Sequence, residues 1–196
     1  GPSRMSAELR DYLESGTPPV VFTLGSSAAG AAGTFYRESA RSAAQLGVRA
    51  VLLVGRNPAN RPPPPLPEGV FVTEHAPHQE LFPRAAAIVH QGGIGTTGQA
   101  LRSGRPMLIV PHAHDQPDNA FRVKGLGVAR VLYPRHYTAS RVVEHLRALL
   151  RTPRYSTRAE EVGRIVRAED GTEQACQALE AFIQARGRSA ALPRPH

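Results

Sequence analysis

Apolar positions along the chain gather into six short runs, at 20–24, 50–54, 70–73, 87–90, 107–110 and 128–132. The runs are near-continuous rather than alternating. Strands read this way when helices bury both of their faces, as in a parallel sheet. Between them the pattern shifts to helical spacing. Thr34 and Gly47 stand where an N-cap and a C-terminal glycine would bracket one helix. Thr138 or Ser140 opens another, with Val142, Val143, Leu146, Leu149 and Leu150 on one face. Asp170 and Glu173 have capping-box spacing ahead of Ala175, Ala178, Leu179, Phe182 and Ile183. Strand–helix alternation of this kind predicts an α/β fold: a Rossmann-like doubly wound parallel sheet of about six strands flanked by helices.

The punctuation sets the limits of the domain. Residues 58–67 are dominated by proline, which suits neither a helix interior nor a central strand, and are expected to form a stiff exposed loop. Residues 186–196 read as a disordered tail. Gly1-Pro2-Ser3 resembles the remnant left by a site-specific protease and is set aside. Residues 4–185 are then one domain of ordinary size.

Composition narrows the function classes. Twenty-four basic against sixteen acidic residues give a net charge of +8. The arginines are scattered, without the clustered footprint of a nucleic-acid-binding surface, so an anionic small molecule suits this charge better. No apolar run approaches the roughly 18 residues of a membrane span. Cys176 is the single cysteine, so an internal disulfide is ruled out and a cytoplasmic setting is expected.

Ligands of doubly wound sheets bind beyond the carboxyl ends of the strands, so the chemistry is sought there. After the first run come Gly25, Ser26 and Ser27 in a stretch of small residues that exposes backbone N–H groups. After the fourth comes the most informative segment, His90-Gln91-Gly92-Gly93-Ile94-Gly95-Thr96-Thr97-Gly98-Gln99. Glycines allow close backbone approach, and hydroxyls at a helix start add donors, which together suit a phosphate. After the fifth run a polar loop carries His112, His114, Asp115 and Gln116. An acid beside an amide can exchange hydrogen bonds with vicinal sugar hydroxyls.

Two other chemistries fit parts of this pattern. Gly93, Gly95 and Gly98 match the glycine fingerprint of dinucleotide-binding domains, with Asp115 about twenty residues on as its acid. That acid ordinarily ends the next strand, whereas Asp115 lies beyond Pro111 in a polar loop. His112, His114 and Asp115 also suggest metal ligands, but no further cluster stands nearby to complete a coordination sphere, and no metal or other cofactor is expected.

Four motifs in order now support a family resemblance: His75-Ala76-Pro77-His78, the glycine–threonine segment, Gly104-Arg105-Pro106, and Pro111 through Asp115-Gln116-Pro117-Asp118-Asn119-Ala120. Together with the first strand they resemble the C-terminal, donor-binding domain of bacterial UDP-glycosyltransferase-like enzymes of the GT-B fold, family 1. These are similar to enzymes that glycosylate lipids, sterols and hydrophobic natural products. The resemblance implies that Ser26, His90, Gln91, Gly93, Gly95, Thr96 and Thr97 hold the diphosphate. It implies that His75, Ala76, His78 and Gln99 face the base and ribose, and that Asp115 and Gln116 bind the sugar. Many members carry histidine at position 91; here glutamine stands there and the histidine is His90, which leaves the phosphate contact open between the two.

The implied ligand is UDP or dTDP and its hexose conjugate. The implied reaction is inverting transfer to a hydroxyl of a small hydrophobic acceptor. The general base and acceptor pocket belong to an N-terminal domain absent from this stretch, so donor binding without turnover is expected. A half-enzyme with a separate acceptor subunit, an NAD-binding oxidoreductase domain and a non-catalytic nucleotide-binding module remain alternatives.

Overall fold

A computed structural model describes residues 4–25, 30 and 32–189. Each of the six apolar runs forms a strand: β1 (Val20–Thr23), β2 (Ala50–Leu53), β3 (Val70–Thr73), β4 (Ala87–His90), β5 (Met107–Ile109) and β6 (Ala129–Val131). They make one sheet in the order β3-β2-β1-β4-β5-β6, parallel throughout. The order reverses between β1 and β4, which therefore lie side by side in register from Val20 opposite Ala87.

Side chains alternate between the two faces, as the period of a strand requires. Val20, Phe22, Ala50, Leu52, Ala87, Val89 and Leu108 point to one layer. There they meet α2 (Phe35–Leu46) and α6 (Ala139–Arg151). Val21, Val51, Leu53, Ile88, Met107 and Ile109 point to the other. That layer is built from α1 (Ala7–Glu14), α3 (His78–Leu81), α4 (Ile94–Ser103), α5 (Gln116–Gly125) and α7 (Pro153–Ala168). Both faces being covered explains why the strands read as unbroken apolar runs.

Helix ends follow from local chemistry. Gly47 closes α2 in the left-handed conformation, and its N–H donates back to Ala43 and Ala44. Thr34 and Thr138 occupy the expected N-cap positions of α2 and α6, but neither side chain caps. Glu38 on α2 instead accepts from the Ala139 N–H at 2.9 Å, capping α6 from a neighbouring helix. Asp170 accepts from Glu173 N–H at 3.0 Å, as its spacing predicts, at the start of α8 (Gly171–Ser189). That helix continues past residue 186, where the sequence suggests a tail; residues 190–196 lie outside the described part.

Four helices were not foreseen, α1, α3, α5 and α7. Helix α1 buries only Leu9 and Leu13, too faint a stripe to read. Helix α7 buries Tyr155, Ala159, Val162 and Gly163, of which the small ones signal little hydrophobicity. Their smallness has a purpose: a Cβ on Gly163 would come within 2.7 Å of the Gly104 Cα, so α7 crosses the end of α4 at backbone distance. Arg167 donates to the Arg102 carbonyl at 2.6 Å, and Arg102 donates to the Val166 carbonyl at 3.3 Å, which locks α4 to α7. The proline-rich stretch leaves the sheet after β2 and is anchored by Asn60, whose amide donates to the Val54 carbonyl at 2.9 Å.

Candidate functional site

Three strand exits meet at the reversal point of the sheet. The β1 exit brings Gly25, the β4 exit brings the glycine turn, and the β5 exit brings the loop that leads into α5. Gly25 is glycine because a Cβ there would overlap the Gln91 amide and lie 3.4 Å from the Thr96 hydroxyl. Gly93, on the other side, would meet the same Gln91 amide at 2.8 Å. The Gln91 side chain thus lies across the crevice between β1 and β4. Ser26 and Ser27 belong to this edge by sequence but lie outside the described residues.

Helix α4 begins in the crevice. Its N-cap is Gly93, in extended conformation with φ −62° and ψ 142°, and no side chain caps it. The first intrahelical bond is Thr97 N–H to the Gly93 carbonyl at 2.9 Å. Helix geometry therefore leaves the N–H groups of Ile94, Gly95 and Thr96 without intrahelical acceptors. Converging amides at the positive end of a helix dipole form a site for an anion. Thr97 differs from its neighbours: its amide is spent inside the helix, and its hydroxyl is buried without a protein partner. The free amides at the helix start are thus those of Gly95 and Thr96, which the sequence singles out, and of Ile94, which it passes over for its apolar side chain.

His90 and Gln91 are both buried but differ in their bonding. His90 is fully buried, and its Nδ1 accepts from the Gly92 N–H at 3.1 Å. Its proton therefore sits on Nε2, which is buried without a partner. Through its Nδ1, His90 supports the turn at Gly92. Burial, reinforced by the charge of His78, pushes its pKa down to about 3. His78 is likewise pushed down to about 4, by burial first and by His75 second.

Both shifts disfavour protonation in the folded state, so unfolding takes up protons below the ordinary histidine pKa of about 6.5. Their contribution is complete above that pH and is lost as pH falls toward about 4 for His78 and about 3 for His90. Stability is expected to drop by about 1.4 kcal/mol per pH unit for His90 alone across this window. Denaturant melts from pH 7 to 4 check this. His90→Asn, whose side-chain oxygen can still accept from Gly92, should flatten the slope; an unchanged slope would contradict the assignment.

The remaining predicted residues separate into two groups. His78 stacks on Phe82, ring centroids 4.3 Å apart, and with Gln79, Gln99 and Arg102 lines a cleft of about 490 Å³ between α3, α4 and α7. This brings together His78 and Gln99, two of the four residues expected at the base and ribose. His75 is exposed at the exit of β3 and Ala76 is buried beside it. At the β5 exit Asp115 is exposed at the N-cap of α5, six residues beyond the end of the strand. That placement departs from the dinucleotide fingerprint, whose acid ends a strand. Gln116 is buried, and its side-chain oxygen accepts from the N–H groups of His112 and Ala113 at 2.8 and 3.2 Å. Its amide oxygen therefore shapes the loop. His112 turns its Nδ1 to the Val110 carbonyl at 2.8 Å.

Residues 41–182 match the family of C-terminal domains typified by erythromycin biosynthesis protein CIII. The chain belongs to this family. Over 184 residues it is 36% identical to O-mycaminosyltylonolide 6-deoxyallosyltransferase of Streptomyces fradiae, covering 93% of this chain and 42% of that enzyme. A sterol 3-beta-glucosyltransferase of Yarrowia lipolytica is 39% identical over 126 residues, covering 64% of this chain and 8% of its own. Among solved structures, the glycosyltransferase of kitacinnamycin superposes with a TM-score of 0.77 at 29% identity, over 92% of this chain and 45% of the other. The glycosyltransferase VinC, solved in complex with dTDP, superposes with a TM-score of 0.72 at 28% identity, over 86% of this chain and 41% of the other. The six-stranded parallel sheet thus matches the C-terminal domains of GT-B glycosyltransferases. The chain spans less than half the length of these relatives. Among the described residues, no helix is long and apolar enough to cross a membrane.

Proposed function

We propose that this domain grips a nucleoside-diphosphate hexose, UDP- or dTDP-linked, as the donor half of an inverting glycosyltransferase acting on a hydroxyl of a small hydrophobic acceptor. The observation that carries the reading is the open N-terminus of α4, with a glycine N-cap and no capping side chain, set at the sheet's reversal point. The dTDP bound to the structural relative VinC supports the same ligand class.

Sugar transfer needs a base on the acceptor and stabilisation of the charge that grows on the departing diphosphate. The second task falls to this domain. The amides of Ile94, Gly95 and Thr96, the helix dipole and the Gln91 amide are fixed by the fold before the ligand arrives, so little reorganisation is needed as charge develops. The base and acceptor pocket belong to a further domain, in keeping with relatives of about twice this length. The His78–Gln99 cleft takes the nucleoside, and Asp115 takes a sugar hydroxyl. Calorimetric titration with UDP and dTDP is expected to show saturable binding without turnover. Absence of saturation for both up to several millimolar would overturn the reading.

Asp115→Ala separates the sugar from the nucleotide. A carboxylate–hydroxyl bond is worth roughly tenfold to a hundredfold in affinity. The variant should lose about that factor for the sugar conjugate and nothing for the free diphosphate, measured by titration of both. Equal loss for the two ligands would place Asp115 elsewhere.

A further inference from the structure

The two loops that the donor is proposed to bridge share one nitrogen. Asn119, half-buried on α5 one turn past Asp115, donates from Nδ2 to the Gly92 carbonyl at 2.9 Å and to the Asp115 carboxylate at 2.7 Å. A side-chain amide nitrogen carries two hydrogens, and each acceptor takes one. Rotation of the Asn119 amide therefore disturbs both bonds together. The Gly92 N–H is meanwhile held by His90 Nδ1, so both polar groups of that residue are pinned. From the opposite side, Gln116 holds the amides of His112 and Ala113 and fixes the loop that presents Asp115.

We propose that Asn119 is the positioning residue that sets the sugar-reading carboxylate relative to the diphosphate turn. The proposal rests on the donor-binding reading of Asp115. Both Asn119 hydrogens are spent inside the protein, so as a donor it acts through its neighbours and not on the ligand. It commits one carboxylate oxygen of Asp115 and leaves the other to face the hexose. A carboxylate held in one rotamer loses less conformational freedom when the sugar arrives, which raises affinity for the conjugate alone. Because the same nitrogen holds the Gly92 carbonyl, the distance between the diphosphate site and the sugar site is set by one side chain. A donor with a pyrophosphate and a hexose at fixed separation is the ligand such a clamp discriminates.

The test is a double-mutant cycle on the 196-residue chain with dTDP, UDP and their glucose conjugates as probes. The quantity read is the sugar contribution, the ratio of the Kd for the free diphosphate to the Kd for its conjugate. Asn119→Ala is expected to reduce that ratio about tenfold, the value of one charge-assisted bond. Asp115→Ala should reduce it by a similar factor, and the double variant no further. Asn119→Asp, equal in size but without a donor, should reproduce the loss if the alanine variant does not fold. A residue with only a structural role would lower the melting temperature and weaken all probes alike, leaving the ratio intact. An intact ratio, losses that add in the double variant, or a wild-type chain that binds a diphosphate no more weakly than its conjugate overturns the proposal. Failure of the wild type to bind any of the four probes overturns the donor-binding reading itself, and this inference with it.

Discussion

Gly92→Ala is expected to cost about 2–5 kcal/mol of folding stability and to abolish nucleotide binding with it. Gly92 has a φ of +90°, in the left-handed region that an alanine enters only at a cost of about 1–2 kcal/mol. Its Cβ would also lie 2.9 Å from Ile109 Cγ2 and 3.3 Å from the Gln116 carbonyl oxygen. Both partners belong to buried residues that cannot swing aside, and overpacking of this kind adds roughly 1–3 kcal/mol. The residue sits directly ahead of the N-cap of α4, so any relief of the overlap moves the amides that would meet the diphosphate. Urea unfolding reads the stability term and titration with dTDP the binding term. A variant as stable as the wild type would mean that the turn does not hold the conformation described.

Ile94→Pro should do the opposite: preserve the fold and weaken binding. Ile94 is the first residue of α4, where proline's fixed φ is already helical and the missing N–H has no intrahelical partner. The preceding Gly93 has the extended conformation that a residue before proline requires. The isoleucine side chain is 70% exposed, so little packing is lost. Stability should change by no more than about 1 kcal/mol. One donor to a charged ligand disappears, which is worth roughly tenfold to a hundredfold in affinity for UDP or dTDP. Ile94→Ala is the control, because it removes the side chain and keeps the amide. Equal affinities for the proline and alanine variants would show that this helix start does not bind the diphosphate.

These two positions differ in how they present themselves in sequence. Gly92 and its neighbours stand out as a glycine–threonine cluster after an apolar run. Ile94 looks like an ordinary apolar residue, and its contribution is a backbone group that every residue but proline owns. A side-chain alphabet therefore marks the turn but not the atoms in it. The same limit applies to Asn119, which lies in a recognisable motif but whose two bonds depend on α5 lying beside the β4 exit.

His90 and Gln91 show the next level of the problem. They are adjacent, both are polar, and either would reach a phosphate in an extended sketch of the chain. Alternation of side chains at a strand end sends one beneath the sheet edge and the other across it. Which is which depends on where β4 ends relative to β1 and β5. Gln116 hides a further bond of this kind: its side-chain oxygen is taken by two amides of the loop it closes, which no motif announces.

Sequence by itself determined the six strands, the parallel character of their sheet, the helix ends marked by Gly47 and Asp170, and the turn after β4. Burial on both faces and helix capping are local requirements, and each leaves its own pattern in neighbouring residues. Only the tertiary structure decided that β1 lies against β4, that Gly25 makes room for Gln91, that small residues in α7 admit the end of α4, and that one amide nitrogen joins the Gly92 carbonyl to Asp115. Those are pairings between segments far apart along the chain, and nothing in either segment's own periodicity records its partner.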